Sequence, residues 1–391
     1  MNLASVADRL AAVDRRAVAF DPRRCLHTAD RFAECAACQS VCPLGAIRPG
    51  APPSLDAAAC AGCFACLPAC PTGAFTADDA AAPLLECAAR VELRRLEVVC
   101  ARHPAPERGL SPEHTAVQVR GCLAGLGVGA LVALAALGVE EIVLRAEACA
   151  GCAWAGLSDR VRANAAQAQT LLAPSGRAHR LTVLAEGASP AVARPVFQAD
   201  NPPLSRRDLF RLAARRGQVA LARAINQGRP ASAPQPPRER VRLTQALAAL
   251  PSASGSDPAT PLGPGFGSLH VSADCNACGV CPRACPTAAL TFERTDPPAY
   301  RLLFRAADCL GCGACRRVCA SASVTINAQP AFAAVFGASA PVELRAGPLV
   351  RCGGCHAWVA TVDSRGLCAP CAARRARPLG LRSRPTTRES V

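Results

Sequence analysis

A repeated cysteine spacing constrains this chain more than any other feature. Cys275, Cys278, Cys281 and Cys285 follow C-x2-C-x2-C-x3-C, with Pro286 next, and Cys309, Cys312, Cys315 and Cys319 repeat the spacing further on. Three thiolates two residues apart can wrap one metal–sulfide centre from a single tight loop. The fourth cysteine, three residues on, points away from that centre. Small residues at Ala277, Gly279, Gly311 and Gly313 let backbone N–H groups come close to sulfur. Pro286 turns the chain out of the loop.

The chain holds 25 cysteines but few large side chains, with aromatics at 4%. Modules poor in bulky apolar residues need metals or disulfides to fold. The recurring C-x2-C units cage metals better than they form bridges. The N-terminal stretch carries Asp8, Arg9, Asp14 and Arg15 and no apolar run of secretory type. A cytoplasmic location is therefore expected, where thiols stay reduced.

An earlier segment repeats the scheme with one change. Cys60, Cys63, Cys66 and Cys70 keep the spacing and precede Pro71, while Cys35, Cys38 and Cys42 precede Pro43. Position 32, where the fourth member belongs, is Phe32; Cys25 can take its place if residues 26–34 loop out. Both segments resemble the two-cluster bacterial-type ferredoxin family. That resemblance implies one-electron transfer and crossed ligation of [4Fe-4S] clusters. The implied sets are Cys25, Cys35, Cys38 and Cys70; Cys60, Cys63, Cys66 and Cys42; Cys275, Cys278, Cys281 and Cys319; and Cys309, Cys312, Cys315 and Cys285. Ala320 follows Cys319 where the family pattern has Pro, without removing a ligand.

Between these segments the pattern changes. Residues 93–100, 116–122, 139–146 and 180–186 read as strands, and 123–138 and 157–172 as helices. This alternation predicts a parallel α/β sheet. Cys122 to Val139 is uncharged over 18 residues. Its Gly and Ala content and its place between strands favour a helix covering a sheet over a membrane span. Cys100 and Cys122 end predicted strands, and Cys149 and Cys152 follow a third, so all four belong on the sheet rim where such folds bind ligands. Cys87 is a further candidate. The order Cys100, Gly121-Cys122, Cys149-x2-Cys152 resembles the delta subunit of methyl-viologen-reducing hydrogenases, which passes electrons to heterodisulfide reductase. That likeness implies a fifth iron–sulfur cluster, [2Fe-2S] or [4Fe-4S]; four buried thiols are the alternative. No phosphate-binding glycine motif is present, and there is no Lys for a Walker loop.

Near the C-terminus, Cys352-x2-Cys355 and Cys368-x2-Cys371 form two knuckles whose spacing predicts a four-thiolate metal site. They resemble a zinc ribbon, with zinc expected ahead of iron and His356 redundant. The segment SRRDLF (205–210) looks like a twin-arginine motif, but it is internal and followed by charge. It is similar to a segment of ferredoxin-type proteins associated with periplasmic nitrate reductase, and it also reads as a capped basic helix.

The formal charge of +15 comes from 44 basic residues, all Arg. Four clusters, each at about −2 with its thiolates, would reduce it to roughly +7. Nucleic-acid binding is not expected, since the arginines are scattered and aromatics are few. The expected fold is α+β multidomain. A 2[4Fe-4S] module (1–82) is followed by an α/β domain (83–200) and a basic helix with a Pro/Ala-rich linker (201–265). A second 2[4Fe-4S] module (266–330), a four-cysteine ribbon (345–375) and a basic tail (376–391) complete it. The expected function is electron relay between redox enzymes, as a subunit of an oxidoreductase complex with no catalytic residues of its own. The partner classes are a hydrogenase, a formate dehydrogenase or a heterodisulfide reductase-like complex. The alternative is a maturation factor for a molybdenum or iron–sulfur enzyme.

Overall fold

A computed structural model of the chain describes residues 18–30, 32–91, 93–173, 179–184, 188, 190–201, 216–226, 234–250, 261–262, 265–296, 298–337 and 340–376. Helix and sheet are mixed, and the largest sheet is parallel and five-stranded.

The two cysteine-dense segments share a plan. In the second, Ser268–Val271 pairs antiparallel with Val324–Asn327, and the hairpin Leu290–Thr295 and Ala299–Phe304 lies between them in sequence. In the first, Ala19–Phe20 pairs with Phe75–Thr76 around the smaller hairpin Ile47–Arg48 and Ser54–Leu55. Residues 1–17 lie outside the described residues. Pairing with Phe75 places Phe20 against that ring at 4.8 Å, a contact a local helix could not make. Val342–Pro348 adds a third strand to the second hairpin, so the first residues of the expected ribbon segment belong to this sheet.

The central sheet runs in the order Val196–Gln198, Thr115–Gln118, Arg95–Val99, Glu141–Leu144, Arg180–Val183, and every pair is parallel. Four of these strands fall on the expected segments. The fifth, Val196–Gln198, is three residues long and too short to announce itself. Val128–Ala136 forms the helix expected after Cys122, and almost every side chain on it is buried. It is apolar all round because it is covered on every side, as a core helix must be. Among the described residues, no helix is long and apolar enough to cross a membrane.

A buried apolar helix leaves its first N–H groups without partners. Gly127 at its N-cap offers no side chain. The cap comes from far away in sequence: the Glu239 carboxylate accepts from the Ala130 N–H at 3.1 Å, where the helix dipole also favours negative charge. Glu239 sits on the helix Arg238–Ala249, inside the stretch expected to be linker. Leu243 and Ala246 of that helix join the core, which runs continuously through Ala65 and Ala69, the sheet, and Phe266 and Val335. The basic helix expected from Ser205 is seen only as Arg216–Asn226; the SRRDLF residues lie outside the described residues.

Arg242 of the same helix reaches Asp79 through two hydrogen bonds of 3.0 and 2.7 Å, and both groups are buried. Burial alone pushes the Asp79 carboxyl up, but the Arg242 charge and the Ala82 N–H draw it below the usual carboxylate range. Removing one partner of such a pair strands the other charge, at a cost of about 3–5 kcal/mol. Asp79→Ala is therefore expected to lower unfolding stability by about that much. The double variant Asp79→Leu, Arg242→Met should recover most of it, as denaturant titration will reveal.

Candidate iron–sulfur and metal sites

The cysteine loops repeat at the level of single backbone angles. After Cys60, Cys275 and Cys309, the second and fourth residues all have positive φ: Gly62 and Phe64, Ala277 and Gly279, Gly311 and Gly313. Alternating right- and left-handed residues turn successive N–H groups to one side, forming a concavity that receives anionic sulfur. Gly311 is needed twice over. Its φ is +65°, and a Cβ there would meet the Phe266 carbonyl oxygen at 2.5 Å. The Cys35 loop lacks this alternation, and it is the loop whose first cysteine is displaced to Cys25.

A second signature follows the last cysteine of every loop. Gly45, Gly73, Ala288 and Ala322 each have positive φ and each donates its N–H to the carbonyl of Cys42, Cys70, Cys285 or Cys319, at 3.2–3.4 Å. The last cysteine is thereby carried across to the partner loop. Cys42 lines one cavity with Cys60, Cys63 and Cys66. Cys285 lines another with Cys309, Cys312 and Cys315. Cys281 is pushed up to about 12, by burial first and then by Cys275, Cys278 and Cys319. Burial raises Cys25 as well, and Cys70 and Cys35 add to it; Cys38 is raised to about 11 by burial, then by Cys70 and Cys35. Cys25 thus lies near Cys35 and Cys70. The loop that brings it there is pinned by His27, whose Nε2 donates to the Cys35 carbonyl at 2.8 Å.

Three adjacent strands of the central sheet deliver a fifth group. Cys100 follows Arg95–Val99, Cys122 lies beyond Thr115–Gln118, and Cys149 and Cys152 form a short turn beyond Glu141–Leu144. All four line one cavity with Arg102, His103, Arg145 and Trp154. Arg145 pairs with buried Glu97 at 2.9 Å, and His103 meets Glu147 at 3.0 Å. The Trp154 N–H donates to the Cys152 sulfur at 3.4 Å. Cys87 is not part of this group. It lies wholly inside the core on the helix Ala81–Val91, its thiol raised to about 11 by burial, with only the Arg90 charge opposing.

The C-terminal thiols are packed more tightly. The Sγ atoms of Cys352, Cys355, Cys368 and Cys371 all lie within 4.8 Å of one another, and Cys355 to Cys368 is 3.7 Å. Four thiolates at a zinc–sulfur distance of about 2.3 Å stand about 3.8 Å apart in a tetrahedron, so the set fits a single ion. The Cys352 thiol is drawn down to about 6 by the N–H groups of Cys368, Cys355 and Gly354. The small hairpin Val350–Arg351 and Trp358–Val359 encloses the first knuckle rather than lying between the two. The second knuckle opens the helix Ala369–Ala376. His356, with positive φ, is exposed outside the group.

Sequence reasoning passed over the hydroxyls two residues beyond the crossing cysteines. Thr72 lies 3.6 Å from Cys70 Sγ, and Ser321 lies 3.6 Å from Cys319 Sγ. Thr287 spends its proton on the Asp308 carbonyl, and the equivalent of Thr72 after Cys42 is exposed Leu44. The signal was present in the sequence as a Ser or Thr at a fixed offset.

Among known families, residues 274–323 match the 4Fe-4S dicluster domain. No curated protein matches the chain, and no solved structure does. The chain carries a ferredoxin-like iron–sulfur domain over that span, together with a four-cysteine group able to hold a metal.

Two predictions follow from the thiol environments. Burial raises Cys122 and Cys315 to about 12 and Cys149 and Cys309 to about 11, from an ordinary value of 9.0. Metal binding must expel those protons, so affinity in reconstitution should rise steadily from pH 6 to about pH 9. The metal-free fold runs the other way. Raised folded values stabilise it below the ordinary thiol range, and that contribution fades as pH climbs toward 11–12. In addition, Thr72→Val removes the hydroxyl 3.6 Å from Cys70 Sγ and should lower the midpoint potential of an iron–sulfur centre ligated by Cys70, with iron content unchanged. Redox titration followed by EPR will detect it.

Proposed function

We propose that this chain relays single electrons through iron–sulfur clusters held by its cysteine quartets. The observation that supports it is the backbone turn shared by all four loops after Cys42, Cys70, Cys285 and Cys319, with Cys42 lining the cavity of Cys60, Cys63 and Cys66, and Cys285 that of Cys309, Cys312 and Cys315. The four sets are Cys25, Cys35, Cys38 and Cys70; Cys42, Cys60, Cys63 and Cys66; Cys275, Cys278, Cys281 and Cys319; and Cys285, Cys309, Cys312 and Cys315. Each would hold a [4Fe-4S] cluster, the chemistry of which is reversible one-electron exchange. The apolar lining of the cavities at Cys42 and Cys285 fits such a group, since it excludes water from the sulfur.

Cys100, Cys122, Cys149 and Cys152 would hold a fifth cluster. Arg102 and Arg145 stand beside that cavity, Arg145 held by the Glu97 and Glu147 carboxylates, so Arg102 is the cation available to offset the negative charge such a centre would carry. Cys352, Cys355, Cys368 and Cys371 would hold one structural metal ion, zinc ahead of iron from the likeness of the two knuckles to a zinc ribbon. The partner is a redox enzyme; the hydrogenase and heterodisulfide reductase-like classes follow from the likeness of the central segment alone.

Iron, sulfide and zinc content per chain, measured on anaerobically purified protein, tests this directly. About 18 to 20 Fe with one Zn is expected, and about 16 Fe would leave the central quartet without a cluster. Cys122→Ser should remove the central iron alone. A colourless but well-folded preparation would overturn the proposal.

A further inference from the structure

The first dicluster segment departs from the regular spacing at one place only. Cys25 and Cys35 are separated by nine residues where the pattern has two. Those extra residues reach the second segment. Asp30, 8% exposed, sits midway along them. One of its carboxylate oxygens accepts from the Phe32 N–H at 2.9 Å. The other accepts from Arg317 Nε at 2.5 Å. Arg317 lies between Cys315 and Cys319, against Gly313, and its charge acts on Cys312. The Arg317 charge, with burial opposing, also helps hold the Asp30 carboxyl below the usual range.

An independent contact brings the same two quartets together. Arg24, next to Cys25, donates to the Gln235 carbonyl at 3.0 Å. Gly73, three residues after Cys70, abuts Pro237. Three residues further on, Arg240 stacks over Phe266 at 4.1 Å and lies within charge range of Cys309. Three residues of helix advance only about 4.5 Å. The remaining neighbours are equally direct. Cys281 sits on the short helix Val280–Arg283 and Cys285 follows it, so one turn of chain joins the Cys275 and Cys285 quartets. Cys38 lies on the short helix Ala37–Ser40 with Cys42 just beyond it, and Cys66 and Cys70 delimit another. The Cys122 N–H donates to the Cys63 carbonyl at 3.3 Å. Gly121 there has φ +73° and no room for a Cβ beside the Phe64 ring.

We infer that Asp30, within the insertion between Cys25 and Cys35, is a docking residue whose ion pair with Arg317 sets the Cys25 quartet beside the Cys285 quartet. The five quartets then form one row. It runs from the Cys275 quartet, with Cys278 exposed, through the Cys285, Cys25 and Cys42 quartets to the Cys100 quartet on the sheet rim. The two ends of the row are where partners would exchange electrons. This rests on the reading of the quartets as cluster sites, and the test separates the two.

The experiment compares the full-length protein with Asp30→Asn and with the charge swap Asp30→Arg, Arg317→Asp. Iron content is measured first. EPR of the fully reduced protein then reads magnetic interaction between neighbouring clusters, and hydrogen exchange reads protection of residues 26–34. The expected result is unchanged iron, loss of the inter-segment part of the spectral broadening, lost protection in D30N, and recovery of both in the swap. Unchanged broadening and protection in D30N with full iron would overturn the inference. If wild-type iron is far below about 16 per chain, the cluster reading fails instead. Hydrogen exchange then still decides the loop: protection lost in D30N supports docking, and protection kept overturns it.

Discussion

Sulfur buried away from water is the constraint around which this molecule is arranged. Burial pushes most of the quartet thiols above their ordinary range, so a quartet on its own keeps its protons. A positively charged metal centre reverses that preference, since it favours the thiolate form directly. Three of the four loops carry paired left-handed residues, and in one of them the Gly311 N–H donates to the Cys309 sulfur at 3.4 Å. The polypeptide has few large side chains to spend on a core near these loops, and the cluster around Phe64 and Phe75 is small. Loading and folding of such segments are one coupled equilibrium.

The second organising element is the helix Arg238–Ala249. Its successive side chains face three different parts of the molecule. Glu239 completes the buried helix Val128–Ala136, Arg240 covers Phe266 beside the second cysteine-dense segment, and Arg242 pairs with Asp79 behind the first. Three charged residues within four positions, two of them buried, are costly to place in a core. They are tolerated because each meets a definite partner, and such directional partners fix how neighbouring segments sit against one another. The C-terminal four-cysteine segment is joined by a lighter contact, the Ala360 N–H to the Asn276 carbonyl at 3.0 Å, which sets it on the Cys275 loop.

What could be read from the sequence divides along a physical line. Ligand-type residues at fixed spacing are local, so the thiol quartets, the strand pattern of the sheet and the burial of residues 128–136 were legible. The strand at Ala19–Phe20 was not, because two residues carry no periodicity and the pairing partner lies at Phe75. The helix within the Pro-rich stretch was hidden by its flanks. QPP precedes it and PSASGS follows, and this composition reads as linker unless Leu243 and Ala246 are known to be covered. The junctions at Asp30–Arg317 and Cys63–Cys122 join residues far apart in the chain, and no single-sequence signal announces them.

The long-range cap on the buried helix bears on how this chain can be divided. Glu239 sits 109 positions after the N–H it satisfies. A fragment ending near residue 200 would retain all five strands of the central sheet, yet leave the start of its most apolar helix both uncapped and uncovered along the Leu243 face. Such a fragment is an unfinished core rather than a free-standing unit. The order of synthesis then matters, for the sheet is made first and must wait for some forty further residues before its interior can close.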